Sequence, residues 1–304
     1  MNRRAALFLL LYLAAILYLS LYPWRLVGNS SFRVLGWVPL ASRRTILDAF
    51  LNVVFYVPLG AAAFVTFRRG VGAFLAALAL GIAVSFSVEW AQLSIPTRFG
   101  NLTDLFCNSA GTLLGIGVVF AATRPPLASI LRALNSPGVL LVGLWAIWQA
   151  FTFVPRYGPA IDISHEIVGF IVLVSLVVRP HFRIVAILLL IWLALDELRP
   201  FRFEAPAQTF WWLPFESWFA GALESYYGTF FGKLFFYTAI LWAERGSGLQ
   251  WIWALVAPGA ILFAGELAQR YLPGRTPEIT DVFILVAGAV LLRLAEPSDN
   301  KDQA

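Results

Sequence analysis

Apolar runs of about 20 residues recur along the whole chain, separated by short segments rich in arginine, proline and aromatic residues. An α-helix of this length crosses the hydrocarbon core of a bilayer, where only helices and closed barrels satisfy their own backbone hydrogen bonds. Ten candidate spans are predicted, at 5–22, 47–67, 71–93, 104–122, 139–155, 163–178, 182–198, 224–243, 250–271 and 279–294. The predicted fold class is therefore an all-α polytopic membrane helix bundle.

The composition supports a membrane protein. Of the 304 residues, 60% are hydrophobic and 13% are charged, and the mean hydropathy is +0.78, which soluble domains do not reach. The first apolar segment has no small-residue cleavage site before Pro23, so we expect it to be retained as a helix. Basic residues that flank membrane spans account for the net charge of +5, so no nucleic-acid partner is expected.

A duplication is visible when the sequence is shifted by 177 positions. The identical pairs include Pro23 with Pro200, Arg25 with Arg202, Glu89 with Glu266, Gln92 with Gln269, Pro96 with Pro273, Arg98 with Arg275, Thr103 with Thr280, Asp104 with Asp281, and Gly111 with Gly288. We interpret the chain as two four-helix repeats, 1–122 and 182–295, with two linking transmembrane helices in 123–181 and a polar C-terminal tail at 296–304. Equivalent helices are six spans apart, an even number, so the repeats are predicted to be parallel.

The connections between spans suggest an orientation. Basic residues are almost equally numerous on both sides, but one set of connections is short and nearly free of acids. We assign that set to the cytoplasm, together with the N-terminus. Most acidic residues then lie on the outer side.

Asp48 and Asn52 are four residues apart, which places them on one face at the outer end of the second helix. Asp48 could cap the helix N-terminus, where a negative charge suits the helix dipole. The deeper Asn52 is the better functional candidate.

Glu89 and Gln92 share a face near the end of the third helix, and Arg98 follows in a short connection. The Glu89 carboxylate could accept hydrogen bonds, act as a base, or form a structural pair with Arg98. Arg98 could bind phosphate or carboxylate as a bidentate fork, or form a salt bridge with Asp104. In the second repeat, Arg275 could likewise bind an anion or form a salt bridge with Asp281.

Asp104, Asn108, Gly111 and Gly115 form one continuous stripe of the fourth helix. The upper half is polar, and the lower half is a small-residue pair that lets another helix approach closely.

The segments DAFLNVVFYVPLG, SVEWAQL and RFGNLTDLFCNSAGTLLG together resemble the VanZ-like family of small multi-helix membrane proteins. The family pattern falls on Asp48, Asn52, Phe55, Pro58, Gly60, Glu89, Gln92, Arg98, Asp104, Asn108, Gly111 and Gly115. The resemblance covers residues 5–120. It implies a role at the bacterial cell envelope, including low-level teicoplanin resistance for the founding member, and it implies no particular reaction.

The second repeat resembles the family less closely. Glu266, Gln269, Arg275, Asp281 and Gly288 remain, whereas Leu285 stands in the place of Asn108 and Lys233 in that of Tyr56. A lysine in mid-span must be paired or neutral, and Glu224, Glu266 and Asp281 are the acids available. Between the repeats, we expect Asp162 to cap a helix and His165 to be a polar bystander or, less simply, a proton carrier.

The leading functional hypothesis is recognition of the polar head of an envelope lipid, such as a polyprenyl-phosphate, or of a lipid-linked glycan, in the bacterial inner membrane. In this hypothesis Arg98 contacts the anionic group, and the amides hydrogen-bond sugar or phosphate oxygens. One alternative is a membrane lipid phosphatase or transferase with Glu89 or Asp104 as its base. Another is a secondary transporter or flippase. Nucleotide-binding, serine-hydrolase and zinc motifs are absent from the sequence, so neither a cofactor nor a metal is expected.

Overall fold

The computed structural model describes residues 3–25, 27, 34–124, 136–152, 162–178, 181–220 and 226–296. Residues 297–304 of the predicted tail lie outside the described residues, as do Glu224, Ser225 and parts of the predicted linking segment. The chain divides into unit 1, Met1–Leu131, and unit 2, Arg132–Ala304. The two helices that the sequence places in the linking segment fall within unit 2.

The described residues of unit 1 form four helices: α1 (Arg3–Leu21), α2 (Arg43–Thr66), α3 (Val71–Gln92) and α4 (Leu102–Ala122). Helix α2 begins four residues earlier than predicted, because Ser42 forms a capping box with Thr45. The interpretation of Asp48 as the N-cap is therefore wrong, since Asp48 lies beyond the first turn. Helix α4 is capped by Asn101, whose side chain accepts a hydrogen bond from the Asp104 amide.

Close packing of α2 against α4 depends on glycines. A Cβ atom at Gly111 would collide with the Val53 carbonyl, and one at Gly115 with the Val57 carbonyl. The predicted small-residue contact is confirmed, and it brings the polar ends of α2 and α4 side by side.

Unit 2 contains seven helices in its described residues. They are α5 (Pro137–Thr152), α6 (Ile163–Val177), α7 (Phe182–Glu197), the short α8 (Glu216–Ala220), α9 (Tyr227–Gly246), α10 (Trp251–Gln269) and α11 (Thr280–Ala295). Helix α9 lies at the centre, packed on α5, α7, α10 and α11. Its Phe235, Ile240 and Leu241 are fully buried in the apolar core.

The predicted class, an all-helical membrane bundle, is confirmed, and each of the ten predicted spans coincides with a helix. Among the described residues, four helices are both long and apolar enough to cross a membrane: Asp48–Thr66, Val71–Gln92, Leu102–Ala122 and Trp251–Gln269. Shorter apolar helices cover Ala5–Leu21, Pro137–Phe151 and Ile163–Val177.

Helices that are 177 residues apart pack in the same pairs within their own units. In unit 1, α2 contacts each of the other three helices, and α3 also contacts α1 and α4. In unit 2, α7, α9, α10 and α11 make the corresponding five contacts.

Candidate functional site

The polar end of unit 1 consists of loop 93–101 and the helix ends that adjoin it. Glu89, which is 2% exposed, accepts a hydrogen bond at Oε2 from the Asn101 amide at 2.8 Å. Asn101 in turn donates through Nδ2 to Asp104 Oδ2 at 2.8 Å while it caps α4. Glu89 therefore holds the loop at the point where α4 begins.

Arg98 and Gln92 bind the C-terminal end of α1. Arg98 donates from Nε to the Tyr22 carbonyl at 3.1 Å and from Nη2 to the Leu19 carbonyl at 3.2 Å. Gln92 Nε2 donates to the Ser20 carbonyl at 2.9 Å. The last carbonyls of a helix have no partner within it, so these contacts satisfy groups that would otherwise be unpaired.

The rim cluster, which we define as Asp48, Asn52 and Asp104, lies beside these contacts. Asp48 is exposed, while Asn52 and Asp104 are half-buried and within hydrogen-bonding reach of each other. The charge of Asp48 acts on Glu89, Arg98 and Asp104. Burial lowers the pKa of Arg98, and the Asp48 carboxylate opposes that effect.

Asn108 lies one turn deeper than the rim cluster and is buried. Its Nδ2 donates to Ser85 Oγ at 3.0 Å, and its carbonyl accepts from Thr112 Oγ1. Its Oδ1 has no hydrogen-bond partner among the described residues. Sequence reasoning missed Ser85, because a serine in an apolar helix carries no signal of its own.

The polar end of unit 2 repeats these hydrogen bonds 177 residues later. Arg275 donates from Nε to the Arg199 carbonyl at 3.0 Å and from Nη2 to the Asp196 carbonyl at 2.6 Å. Glu266 Oε2 accepts from the Glu278 amide at 2.7 Å. Thr103 Oγ1 accepts from the Val38 amide in unit 1, and Thr280 Oγ1 accepts from the Phe215 amide in unit 2.

The interior of unit 2 differs from that of unit 1. Lys233 Nζ lies 2.6 and 2.7 Å from the two Asp281 oxygens, and Tyr237 donates its hydroxyl to Asp281 Oδ2 at 2.7 Å. The expectation that Lys233 pairs with an acid is confirmed, with Asp281 as the partner. Gln269 donates to the Glu197 carboxylate at 2.6 Å, whereas Gln92 donates to a backbone carbonyl.

Three buried carboxylates therefore meet in unit 2. Oxygen atoms of Glu197, Glu266 and Asp281 lie within 4.8 Å of one another, a spacing that could hold a metal ion. Asp281 already accepts from Lys233 and Tyr237, which leaves it few lone pairs for a metal.

Nearby, burial raises the pKa of Glu278, although hydrogen bonds from Ser217 act in the opposite direction.

Asp162 caps α6 as expected, because its Oδ1 accepts from the Ser164 amide at 2.8 Å. Burial pushes the pKa of Asp162 upward, but hydrogen bonds from Ser164 and the charges of His165 and Arg199 outweigh it and hold the pKa at about 2. The interpretation of His165 as a polar bystander stays a prediction, but the ring lies between two carboxylates. Its Nδ1 lies 3.4 Å from Asp162 and its Nε2 lies 3.4 Å from Asp196.

Sequence reasoning also missed Asp196, Glu197 and Tyr237 as site residues. Asp196 and Glu197 end an apolar helix at the positions that the shift of 177 aligns with Leu19 and Ser20. The replacement of Leu19 and Ser20 by two acids in the second repeat was the sequence signal that could have identified Asp196 and Glu197 as site residues.

Residues 7–123 match the family model described as VanZ/LLP1. The match supports a VanZ-like domain that includes the whole polar end of unit 1, and it does not extend into the second repeat. No curated protein and no solved structure matches the chain.

Proposed function

We propose that the polar end of unit 1 binds the polar head of an envelope lipid or of a lipid-linked glycan. The observation that carries this proposal is the rim cluster, which gathers Asp48, Asn52 and Asp104 at the end of two apolar helices. Charged and amide groups are costly at the edge of hydrocarbon, so they are retained there where they bind something.

The charge at this end favours a hydroxyl-rich head over a bare phosphate. Among the described residues, the charge of Asp48 acts on Glu89 and Asp104, that of Asp104 acts on Glu89, and Asp48 also acts on Arg98. Carboxylate oxygens accept hydrogen bonds from hydroxyls, and the Asn52 amide both donates and accepts. Sugar hydroxyls fit the rim cluster, and Arg98 becomes a positioning residue that holds α1.

Exposed aromatic residues beside the rim cluster suit a ligand that is partly apolar. Trp37 packs on Phe106 with a ring-centroid distance of 5.2 Å, and Phe99 is exposed on the loop. Aromatic side chains favour the headgroup level of a membrane. They provide an apolar surface next to the hydrogen-bonding groups.

The geometry of Glu89 favours binding over catalysis. A general base must reach the proton that it abstracts. Glu89 is 2% exposed, and its Oε2 accepts a hydrogen bond from the Asn101 amide. Its carboxyl group therefore stabilises loop 93–101 and is not exposed to a ligand.

Native mass spectrometry with lipid analysis tests the proposal. The Asp48→Asn/Asn52→Ala double variant should lose an envelope lipid that co-purifies with the wild type, with an unchanged melting temperature. Glu204→Gln, an exposed carboxylate paired with Arg202, is the matched control and should retain the lipid. Equal lipid occupancy in the double variant and the wild type would refute the proposal.

The inner membrane, with the N-terminus in the cytoplasm, is the location we propose, which places the polar end of unit 1 outside. In a Cys107→Ser background, Phe99→Cys should react with a membrane-impermeant maleimide in intact cells. Arg68→Cys, at the opposite end of unit 1, should react only after the cells are opened. The reverse pattern would contradict this orientation.

The resemblance to the VanZ-like family suggests a contribution to teicoplanin resistance. Expression in a susceptible bacterium should raise the inhibitory concentration of teicoplanin, and the Asp48→Asn/Asn52→Ala variant should abolish the increase. If the variant protects as well as the wild type, resistance does not depend on the rim cluster.

A further inference from the structure

A cavity of about 360 Å³ lies inside unit 2, between helices α5, α6, α7 and α9. Its volume falls within the range of sites for small organic molecules. Trp148, Trp192 and Phe236 form its aromatic walls. The Trp192 Nε1 atom is buried and has no hydrogen-bond partner among the described residues.

Carboxylates outnumber cationic side chains around this cavity. Four acids and three permanent cations line it: Asp162, Glu166, Asp196, Glu197, Arg199, Lys233 and Arg275. Glu266 and Asp281 add two more carboxylates next to Glu197. A buried excess of negative charge is unfavourable unless protons or a cation offset it.

The cations that line the cavity are already engaged. Lys233 is bound to Asp281, and Arg199 Nη1 lies 2.6 Å from Asp162 Oδ2. Arg275 donates to two backbone carbonyls at the end of α7.

The carboxylates have partners too, since Gln269 donates to Glu197 and His165 lies 3.4 Å from Asp196. A carboxylate has about four acceptor sites, so an ammonium group can add to these contacts without displacing them.

A metal ion is the competing occupant, because Asp162, His165 and Asp196 each offer one ligand atom within 4.8 Å of the other two. Arg199 disfavours it, since its Nη1 already lies 2.6 Å from Asp162 Oδ2 and brings a positive charge to that group. The cavity is also far larger than a single ion needs.

We infer that the cavity of unit 2 binds an organic cation, a small amine with an apolar body. The ammonium group lies against the carboxylates of Asp196 and Glu197. The body packs on Trp148, Trp192 and Phe236, whose ring faces attract a cation. This inference concerns unit 2 and is independent of the function proposed for unit 1.

A tryptophan-fluorescence titration of the purified full chain tests the inference. The probe is benzyltrimethylammonium, and the control probe is neopentylbenzene, its neutral isostere. Saturable quenching is expected with the cation only. Glu197→Gln and Trp192→Leu should each weaken binding about tenfold or more, because each removes a buried contact to the charge. Glu204→Gln should bind as the wild type does.

Melting curves show whether each variant is folded. If Glu197→Gln does not fold, Asp196→Asn and Trp192→Leu carry the test in its place. Equal quenching by both probes would reduce the effect to partition into apolar surface and overturn the inference. Saturable binding of Ca²⁺ or Mn²⁺ that excludes the amine would overturn it in favour of a metal site, and unchanged affinity in the folded variants would also overturn it.

Discussion

The polar ends of unit 1 and unit 2 are built from the same backbone contacts, yet they enclose different chemistry. In each unit a glutamate holds the amide before the last helix, and an arginine binds two carbonyls at the end of the first helix of the four. The residues that differ lie on the faces of α2 and α9, at the ends of α1 and α7, and at Asn108 of α4, whose counterpart in α11 is Leu285. The shared Glu and Arg residues therefore maintain the architecture, and the positions that differ determine what each unit can bind.

Exposure of the polar groups also differs between the units. Asp48 and Asn52 place the polar groups of unit 1 at an accessible rim. Unit 2 carries its charges inside, where Glu197, Glu266 and Asp281 are each no more than 5% exposed. In the two proposals, unit 1 therefore binds its ligand at an accessible rim, whereas unit 2 binds its ligand in a partly open cavity beside buried carboxylates.

The largest effect should come from breaking the ion pair that distinguishes unit 2. Lys233→Met leaves Asp281 buried without its cation, which should cost about 3–5 kcal/mol of unfolding free energy. The Lys233→Met/Asp281→Leu double variant should recover much of that loss. Unfolding in detergent, followed by tryptophan fluorescence, measures both.

The exposed pair Arg202 and Glu204 is the control for that prediction. Arg202→Met should cost no more than about 1 kcal/mol, since exposed pairs contribute little. A Lys233→Met variant as stable as Arg202→Met would show that the cluster of unit 2 does not depend on its lysine.

A second effect separates the helix contacts of the two units. Gly111→Ala places a methyl group against the Val53 carbonyl and should cost about 1–3 kcal/mol, because backbone must move. Gly288→Ala meets the Thr238 hydroxyl at 2.7 Å, a side-chain atom, so it should cost less, although that hydroxyl must shift and weaken its hydrogen bond to the Leu234 carbonyl. Gly117→Ala, which has open space, should be neutral or slightly stabilising in thermal unfolding. Equal costs at all three glycines would contradict the contact between α2 and α4.

The helical class, the VanZ-like domain and the glycine contact could be predicted from the sequence, because hydropathy and the spacing of small residues report them directly. The partners of Arg98 could not be predicted. Its contacts are backbone carbonyls more than 75 positions away, and a carbonyl has no identity in a sequence. For the same reason the contact between His165 and Asp196 could not be predicted, because the two residues become neighbours only when α6 and α7 pack together.

A third prediction concerns the arginines that the two units share. Arg98→Lys and Arg275→Lys should each lower stability by about 1.5–3 kcal/mol, because a lysine replaces the two directed N–H donors with one ammonium. The exposed Arg25→Lys should have no measurable effect on the melting temperature. Markedly unequal losses at Arg98 and Arg275 would break the proposed equivalence of the two ends.

The smallest effect should be a pH dependence at Asp162. Its pKa is about 2 in the folded protein, below the value of about 3.9 in an unfolded chain. Its contribution to stability is therefore complete above about pH 4 and is lost as the pH falls toward 2. Melting temperatures between pH 6 and pH 3 should fall less steeply for Asp162→Asn than for the wild type. Parallel curves would contradict the low pKa.

The most direct test of the division between architecture and binding compares two variants of unit 1. Bound lipid, by native mass spectrometry, and melting temperature should be measured for Arg98→Lys and for Asp48→Asn/Asn52→Ala in the same detergent. We predict that Arg98→Lys lowers the melting temperature and keeps its lipid, while the double variant keeps its melting temperature and loses its lipid. Loss of lipid from a folded Arg98→Lys variant, with full retention by the double variant, would contradict the account.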